Sequence, residues 1–437
     1  MLGKIKDQDA ILKKLGIEGL NKMQKDAHKA ILAENDTILL SPTGTGKTLA
    51  FLLPILSQLN PDLDQVQVLI LVPSRELAIQ IEQVTREMGS GYKVNAVYGG
   101  RAGSKDKEDL KHPPAILIGT PGRIADHLRR KTFSTKHIKT LVLDEFDKSL
   151  EVGFEFEMRE ILELLPYLQK KILTSATQGV EIPEFVGINQ PDFLDFSDTK
   201  TDQLTLKAII SPSENKLNTL VRLLGFIGEG SGIIFCNLKD TIQDVSDYLY
   251  NRDIDHACFY GGLEQQERER ALIKFRNGTH RLLLASDLAA RGIDVPEMDF
   301  IIHFEVPYRE EEFTHRNGRT ARMHSNGTAY ILKWEKKPLP RFISGVEELE
   351  LEPTDSPENS PWETLFISGG RKDKISKGDI AGLFFKQGQL QKEELGTIEL
   401  KSDCAFVAVP KTKAKELAAE LNNSRLKKKK VRISILD

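Results

Sequence analysis

The stretch LVLDEFDKSL (141–150) packs Asp144, Glu145 and Asp147 into four positions, directly after three apolar residues. Carboxylates at that spacing repel one another at neutral pH unless a cation is close. Far upstream, DTILLSPTGTGKT (36–48) runs an apolar stretch into a glycine-bearing loop and then into TLAFLLPILSQL. The spacing fits a phosphate-binding loop, with Ser41 where the pattern asks for Gly and with Gly46, Lys47 and Thr48 in place. Loop N–H groups over Thr43, Gly44, Thr45 and Gly46 suit phosphate oxygens, as does the helix N-terminus that follows. Lys47 reaches the outer phosphates, and the Thr48 hydroxyl helps hold Mg²⁺. Asp144 is then the carboxylate that also holds the ion, and Glu145 the one that orients or deprotonates the attacking water. The two segments together point to Mg²⁺-dependent nucleoside triphosphate chemistry. The sequence has no NKxD segment of the kind GTPases use to read their base.

Elements that could position these groups are legible over much of the chain. Apolar runs alternate with helical patterns from residue 36 to residue 335: DTILL, VLILVP, AILIGT, TLVLDE and KILTSAT, then GIIFCN, RLLLASD, DFIIHFEV and GTAYILKW. Unbroken apolar strands separated by helices predict parallel sheets covered on both faces. Two such series predict two α/β domains, over 1–200 and 205–335. Residues 336–361 carry five prolines and an acidic run, the pattern of a linker. Residues 362–437 read strand, helix, strand, strand, helix, strand, which is the ferredoxin-like βαββαβ order of RNA-recognition modules.

Composition sets limits. At 437 residues, 40% hydrophobic and 29% charged, the chain is expected to be a soluble protein with substantial cores. No apolar stretch approaches the length of a membrane span, and the first residues carry no secretory pattern. Cys236, Cys258 and Cys404 are scattered, which argues against a zinc site or disulfide framework and suits a reducing cytoplasm. Residues 362–437 hold 16 Lys and Arg against 10 Asp and Glu, whereas the remainder carries a net charge of −9. A basic module on an acidic body suggests a polyanionic partner.

The DEFD segment resembles the signature of the DEAD-box RNA helicases, with Phe146 in place of Ala. Further segments resemble that family in order: PSRELA (73–78), Gly99-Gly100, TPGR (120–123), GF (153–154) and SAT (175–177). IIFCN (233–237), QQER (265–268), SDLAARGID (286–294) and HRNGRTAR (315–322) follow. The resemblance implies two tandem RecA-like domains and an RNA-dependent ATPase with ATP and Mg²⁺ as cofactors. It implies that Arg319 and Arg322 are arginine fingers and that Asp294 binds the ATP ribose. Asp147, Ser175, Thr177 and His315 would link the ATP site to RNA. Arg75, Gly99, Gly100, Thr120, Gly122 and Arg123 would contact the RNA backbone. Gln24 would read adenine, although the segment before it, GIEGLNKMQ, lacks the family's aromatic and prolines. Phe146 is expected to pack behind the strand end, with altered coupling as the alternative.

Residues 365–384 resemble the C-terminal RNA-binding domain of DbpA-type helicases. Only Phe366 and Phe406 offer aromatic faces on the expected sheet, so base stacking there is expected to be weak. Arg371, Lys372, Lys374 and Lys377, with the run Lys427–Lys430, are the expected phosphate contacts. The whole reads as a monomeric, cytoplasmic helicase that locally opens short duplexes of ribosomal RNA or pre-ribosomal particles. A non-unwinding ATP-gated RNA clamp is the alternative, and a DNA translocase is disfavoured.

Overall fold

The computed structural model describes residues 7–33, 35–42, 44–100, 103–151, 153–176, 181–197, 204–287, 298–320, 327–352 and 357–436. They form two compact units.

The first unit is built on seven parallel strands: β1 (Thr37–Leu40), β2 (Val68–Leu71), β3 (Val94–Val97), β4 (Ile116–Gly119), β5 (Thr140–Leu143), β6 (Lys170–Ser175) and β7 (Asp192–Asp195). Their order is β3-β4-β2-β5-β6-β1-β7. Central strands are buried on both faces, which is why their sequences are unbroken apolar runs rather than alternating ones. Side chains alternate between two cores. Val68 and Ile70 face α1 (Gln8–Leu15), α3 (Lys47–Gln58) and α4 (Arg75–Met88). Leu69 and Leu71 join Ile124 and Leu128 of α6 (Pro121–Arg129) and Met158 and Ile161 of α8 (Glu155–Glu163). A further helix, α2 (Lys22–Leu32), precedes β1, and α5 (Gly103–Leu110) precedes β4.

The second unit repeats the plan. Strands β8 (Leu204–Ser211), β9 (Gly232–Phe235), β10 (Ala257–Phe259), β11 (Leu282–Ala285), β12 (Phe300–His303), β13 (Gly327–Trp334) and β14 (Glu347–Glu348) run parallel in the order β10-β11-β9-β12-β13-β8-β14. Helices α9 (Leu217–Ile227) and α10 (Lys239–Tyr250) supply Leu220, Leu223, Ile242 and Val245 to one core. Helix α11 (Gln265–Arg276) connects β10 to β11.

Most described residues of 336–361, expected as a linker, are exposed, but several apolar side chains are anchored on the domain. Ile343 is buried with Phe313 and Ile331, Leu349 and Leu351 rest on the α9–α10 core, and β14 adds to β8. The apolar residues between the prolines and acids are the cause. They can be buried only by lying along the domain, and Arg222 donates to Leu351 O at 2.7 Å to hold the segment there.

The C-terminal module has the expected βαββαβ order. Strands β15 (Trp362–Ile367), β16 (Ile398–Leu400), β17 (Ala405–Pro410) and β20 (Ile433–Ile435) form an antiparallel sheet in the order β16-β17-β15-β20. Leu365, Ile367, Val407 and Val409 point to the helices Lys377–Lys386 and Ala414–Leu421. A small hairpin, β18 (Arg425–Leu426) and β19 (Lys429–Lys430), takes up the lysine run before the last strand.

Candidate functional site

At the end of β1 the chain leaves the sheet and folds around its own lysine. Gly44 and Gly46 take left-handed backbone angles, φ 87° and 86°. Such angles strain any side chain, which is why glycine stands at both positions. Lys47, which opens α3, is buried and its Nζ donates to Ser41 O at 2.5 Å and Pro42 O at 3.0 Å. Ser41 explains its own departure from glycine. It is fully buried, its Oγ lies 2.8 Å from Thr45 Oγ1, and its N–H donates to Ser175 O at 3.0 Å. The loop is therefore braced across its width and tied to β6. Thr48 follows in the first turn of α3, half-buried.

The start of α2 is laced to this loop by a residue that the sequence reading did not single out. Asn21 and Gln24 form a reciprocal cap: Gln24 N–H donates to Asn21 Oδ1 at 2.8 Å and Asn21 N–H to Gln24 Oε1 at 3.0 Å. Asn21 Nδ2 also donates to Thr45 O at 3.1 Å, and Gln24 Nε2 to Gly46 O at 3.3 Å. A Cβ at Gly46 would sit 2.5 Å from Gln24 Nε2. The Asn-x-x-Gln spacing was the available signal.

Beyond β5 the acidic stretch makes a sharp turn. Asp144 N–H donates to Leu71 O at 3.0 Å, Glu145 adopts φ 48°, and Phe146 opens the short helix α7 (Phe146–Glu151). Phe146 is 2% exposed and sits in the core with Leu143, Met158, Ile161 and Leu173. Phe146 packs behind the strand end as expected. The strand stops at Leu143, and the left-handed turn at Glu145 separates Phe146 from the acids.

Asp144 is buried, and its Oδ1 accepts from the Thr174 hydroxyl. Burial pushes its carboxyl above the usual range, against the opposing pull of the Thr174 hydrogen bond and of Lys47. A buried carboxylate beside Lys47 and the glycine loop fits a phosphate-bound cation, which would supply the missing charge. Asp147 is buried with its Oδ2 3.7 Å from Lys148 Nζ, and Ser175 is fully buried at the end of β6. Thr174 was not anticipated; its only signal was a polar residue ending the apolar run KILTSAT.

A second group of the expected residues gathers at neighbouring strand ends of the same unit. Arg75 opens α4, and its guanidinium lies against Gly99 and Gly100. A Cβ on Gly100 would be 2.5 Å from Arg75 Nη1. Thr120 caps α6, and a Cβ on Gly122 would meet open space. Arg123 grips the fully buried Asp106, with Nε 2.9 Å and Nη2 2.7 Å from Oδ2. The buried His127 also approaches that oxygen, at 3.1 Å. Nothing in the sequence linked Asp106 to Arg123, because α5 and α6 meet only in the fold.

In the second unit Arg319 is buried just past the helix Glu310–Asn317. His315 lies in that helix's last turn. Arg316 proves to be the keystone there. It is 1% exposed, binds both oxygens of Asp287 at 2.6 and 2.5 Å, and also donates to Glu305 O and Asn237 Oδ1. It thus joins segments from IIFCN, SDLAARGID and HRNGRTAR. Thr43, Thr177, Asp294 and Arg322 lie outside the described residues.

On the C-terminal module Arg371, Lys372 and Lys374 are exposed on the turn after β15, and Lys377 opens the next helix. The lysine run is partly committed to structure. Lys427 pairs with Asp379 at 2.8 Å and Lys429 with Asp373 at 2.7 Å, fastening the small hairpin to the helix Lys377–Lys386 and to that turn.

Residues 21–185 match the family described as DEAD/DEAH box helicase, residues 215–324 the helicase conserved C-terminal domain, and residues 364–435 the DbpA RNA binding domain. The ATP-dependent RNA helicase DbpA of Escherichia coli is 33% identical over 97% of this chain and 96% of its own length. That of Bacillus subtilis is 29% identical over the same shares. Among solved structures, Saccharomyces cerevisiae Dbp5 bound to RNA and ADP BeF3 matches with a TM-score of 0.68 and 28% identity, covering 76% of this chain and 88% of the other. The two parallel sheets are RecA-like domains. The chain belongs to the DEAD-box helicases of the DbpA type.

Proposed function

We propose that the protein is an RNA-stimulated ATPase that opens short RNA duplexes locally, acting as a monomer in the cytoplasm on ribosomal RNA or pre-ribosomal particles. The reading rests above all on Lys47 held inside a loop of left-handed glycines beside the buried Asp144. Loop N–H groups and Lys47 bind the phosphates of ATP. Thr48 and Asp144 would hold Mg²⁺, which when bound neutralises charge on the outer phosphate oxygens. Glu145 takes a proton from water as the water oxygen attacks the γ-phosphorus, and the bond to ADP breaks. Arg319 and Arg322 stabilise the charge that builds on the transferring group, and Asp294 binds the ribose. Gln24 reads adenine: its bonds to Gly46 O and from Asn21 N–H orient the amide and use one N–H and one oxygen lone pair, so a second donor and a second acceptor position remain for the base.

Arg75, Gly99, Gly100, Thr120, Gly122 and Arg123 take the RNA backbone. Backbone contacts carry little sequence information, so these residues hold RNA without choosing its sequence. Asp147, Ser175, Thr177 and His315 couple the two events. Support comes from Ser41, whose N–H bonds Ser175 O and so ties the phosphate loop to the SAT segment.

Glu145→Gln should keep nucleotide affinity and lose steady-state hydrolysis, because the carboxylate acts on water; Lys47→Ala should weaken nucleotide binding itself. Normal turnover in Glu145→Gln would sink the assignment. Strand displacement, measured separately, decides the remaining clause. RNA-stimulated hydrolysis without displacement would leave an ATP-gated RNA clamp.

A further inference from the structure

The outward face of the C-terminal sheet carries the aromatic pair of the module. Phe366 and Phe406 sit opposite each other on β15 and β17, with ring centroids 5.7 Å apart. On a free-standing βαββαβ module this is the face on which bases stack. Here another element covers it. Ile273 of α11 is buried with Phe406 and Leu436, and Phe366 and Cys404 pack around them. Arg276, three residues on, makes a two-pronged ion pair with Glu399 of β16, at 3.0 and 2.8 Å. Just past the helix, Thr279 Oγ1 and Thr364 Oγ1 meet at 2.7 Å, and Thr364 is fully buried. At the rim Lys411 pairs with Asp255 at 2.8 Å, and Asn359 donates to Asp253 O at 2.6 Å while accepting from Asp255 N–H at 2.7 Å.

An apolar centre, an enclosed charge pair and a ring of rim bonds are the anatomy of a specific interface rather than of a chance touch. We infer that the sheet face of the C-terminal module is a standing interface with α11, not a base-stacking platform, and that the module and the second α/β domain turn as one body. The inference rests on the RNA-dependent reading above only for its consequence: RNA held by the module keeps a fixed position relative to the second domain. The connection 336–361 agrees with this. A tether meant to swing would not bury Ile343 and rest Leu349 and Leu351, partly buried, along the domain.

The threonine pair supplies a test in the full-length protein. Thr279→Cys with Thr364→Cys places two thiols where two hydroxyls now touch. Mild oxidation should link them, while unsubstituted protein treated in parallel, with its three native cysteines, should form no such link. The probe is a hairpin RNA with a single-stranded tail. Oxidised and reduced forms of the double variant should bind it within twofold of each other and show equal RNA-stimulated ATP hydrolysis. Failure of the link to form would overturn the interface. A tenfold loss of affinity on oxidation, reversed by reductant, would show that RNA needs the covered face. The activity of unsubstituted protein with the same RNA tests the broader reading independently, since the inference depends only on the ratio between redox forms.

Discussion

Phe146 is the residue at which this chain departs most visibly from the DEAD-box letters. A phenylalanine 2% exposed in a filled core is a structural commitment. Truncating a buried Phe to Ala costs about 3–5 kcal/mol through reduced burial and the cavity left behind. Phe146→Ala, although it restores the usual signature, should therefore lower the melting temperature of the first domain. ATP hydrolysis per folded molecule should stay within a few-fold, because the side chain points away from Asp144 and Glu145. A calorimetric scan beside a steady-state assay checks both halves. An unchanged melting temperature with altered RNA stimulation would assign Phe146 to coupling instead.

At the scale of elements, the start of α2 and the phosphate loop behave as one piece. Asn21→Ala removes a helix cap worth about 1 kcal/mol. It also removes the bond from Asn21 to Thr45 O. The expected outcome is a raised KM for ATP with kcat nearly unchanged, read from initial rates over a nucleotide titration. In the second domain, the end of β12 sets a pH limit. His303 is fully buried between Phe235 and Phe313, with Nε2 donating to Asn317 Oδ1 at 3.0 Å. Burial, reinforced by Arg316, lowers its pKa from the ordinary 6.5 to about 3. The folded state thus keeps the ring neutral where the unfolded chain takes a proton. Stability from this group is full above pH 6.5 and is lost as pH falls toward 3, at up to about 1.4 kcal/mol per pH unit. Denaturant unfolding at pH 7 and pH 5 should show the fall, and His303→Gln should make it shallower, with His280, also lowered by burial to about 4, among the groups that keep a residual slope.

For the whole molecule, charge is divided between an acidic body and a basic C-terminal module. Arg371, Lys372, Lys374 and Lys377 stand exposed on that module. Removing one cation that neutralises a phosphate should lower the slope of log affinity against log salt by about 0.7 for single-stranded RNA. Lys372→Ala with Lys374→Ala should flatten the salt dependence and weaken binding to different RNA sequences alike. A parallel, salt-independent weakening would mean that the variants had disturbed the fold of the module.

By itself the sequence determined the α/β class, the strand series, the βαββαβ order of the last 76 residues and the local chemistry of the phosphate loop and the acidic stretch. These are written in short windows: unbroken apolar runs report burial on both faces, and Gly46-Lys47-Thr48 reports a loop entering a helix. Tertiary structure alone decided the pairings between distant segments. Thr174 on Asp144, Asp106 under Arg123 and Arg316 on Asp287 are buried polar pairings across loops and helices, and no periodicity encodes which partner a buried charge will find. The same holds for the covered sheet of the C-terminal module. Phe366 and Phe406 read as sheet aromatics in the sequence, and what they pack on depends on Ile273, far away in the chain. The segment 336–361 reads as a linker because prolines and acids dominate its composition, and most of its described residues are exposed. Its scattered apolar side chains, Ile343, Leu349 and Leu351 among them, settled against the second domain, because burying them there outweighs keeping the chain free in water.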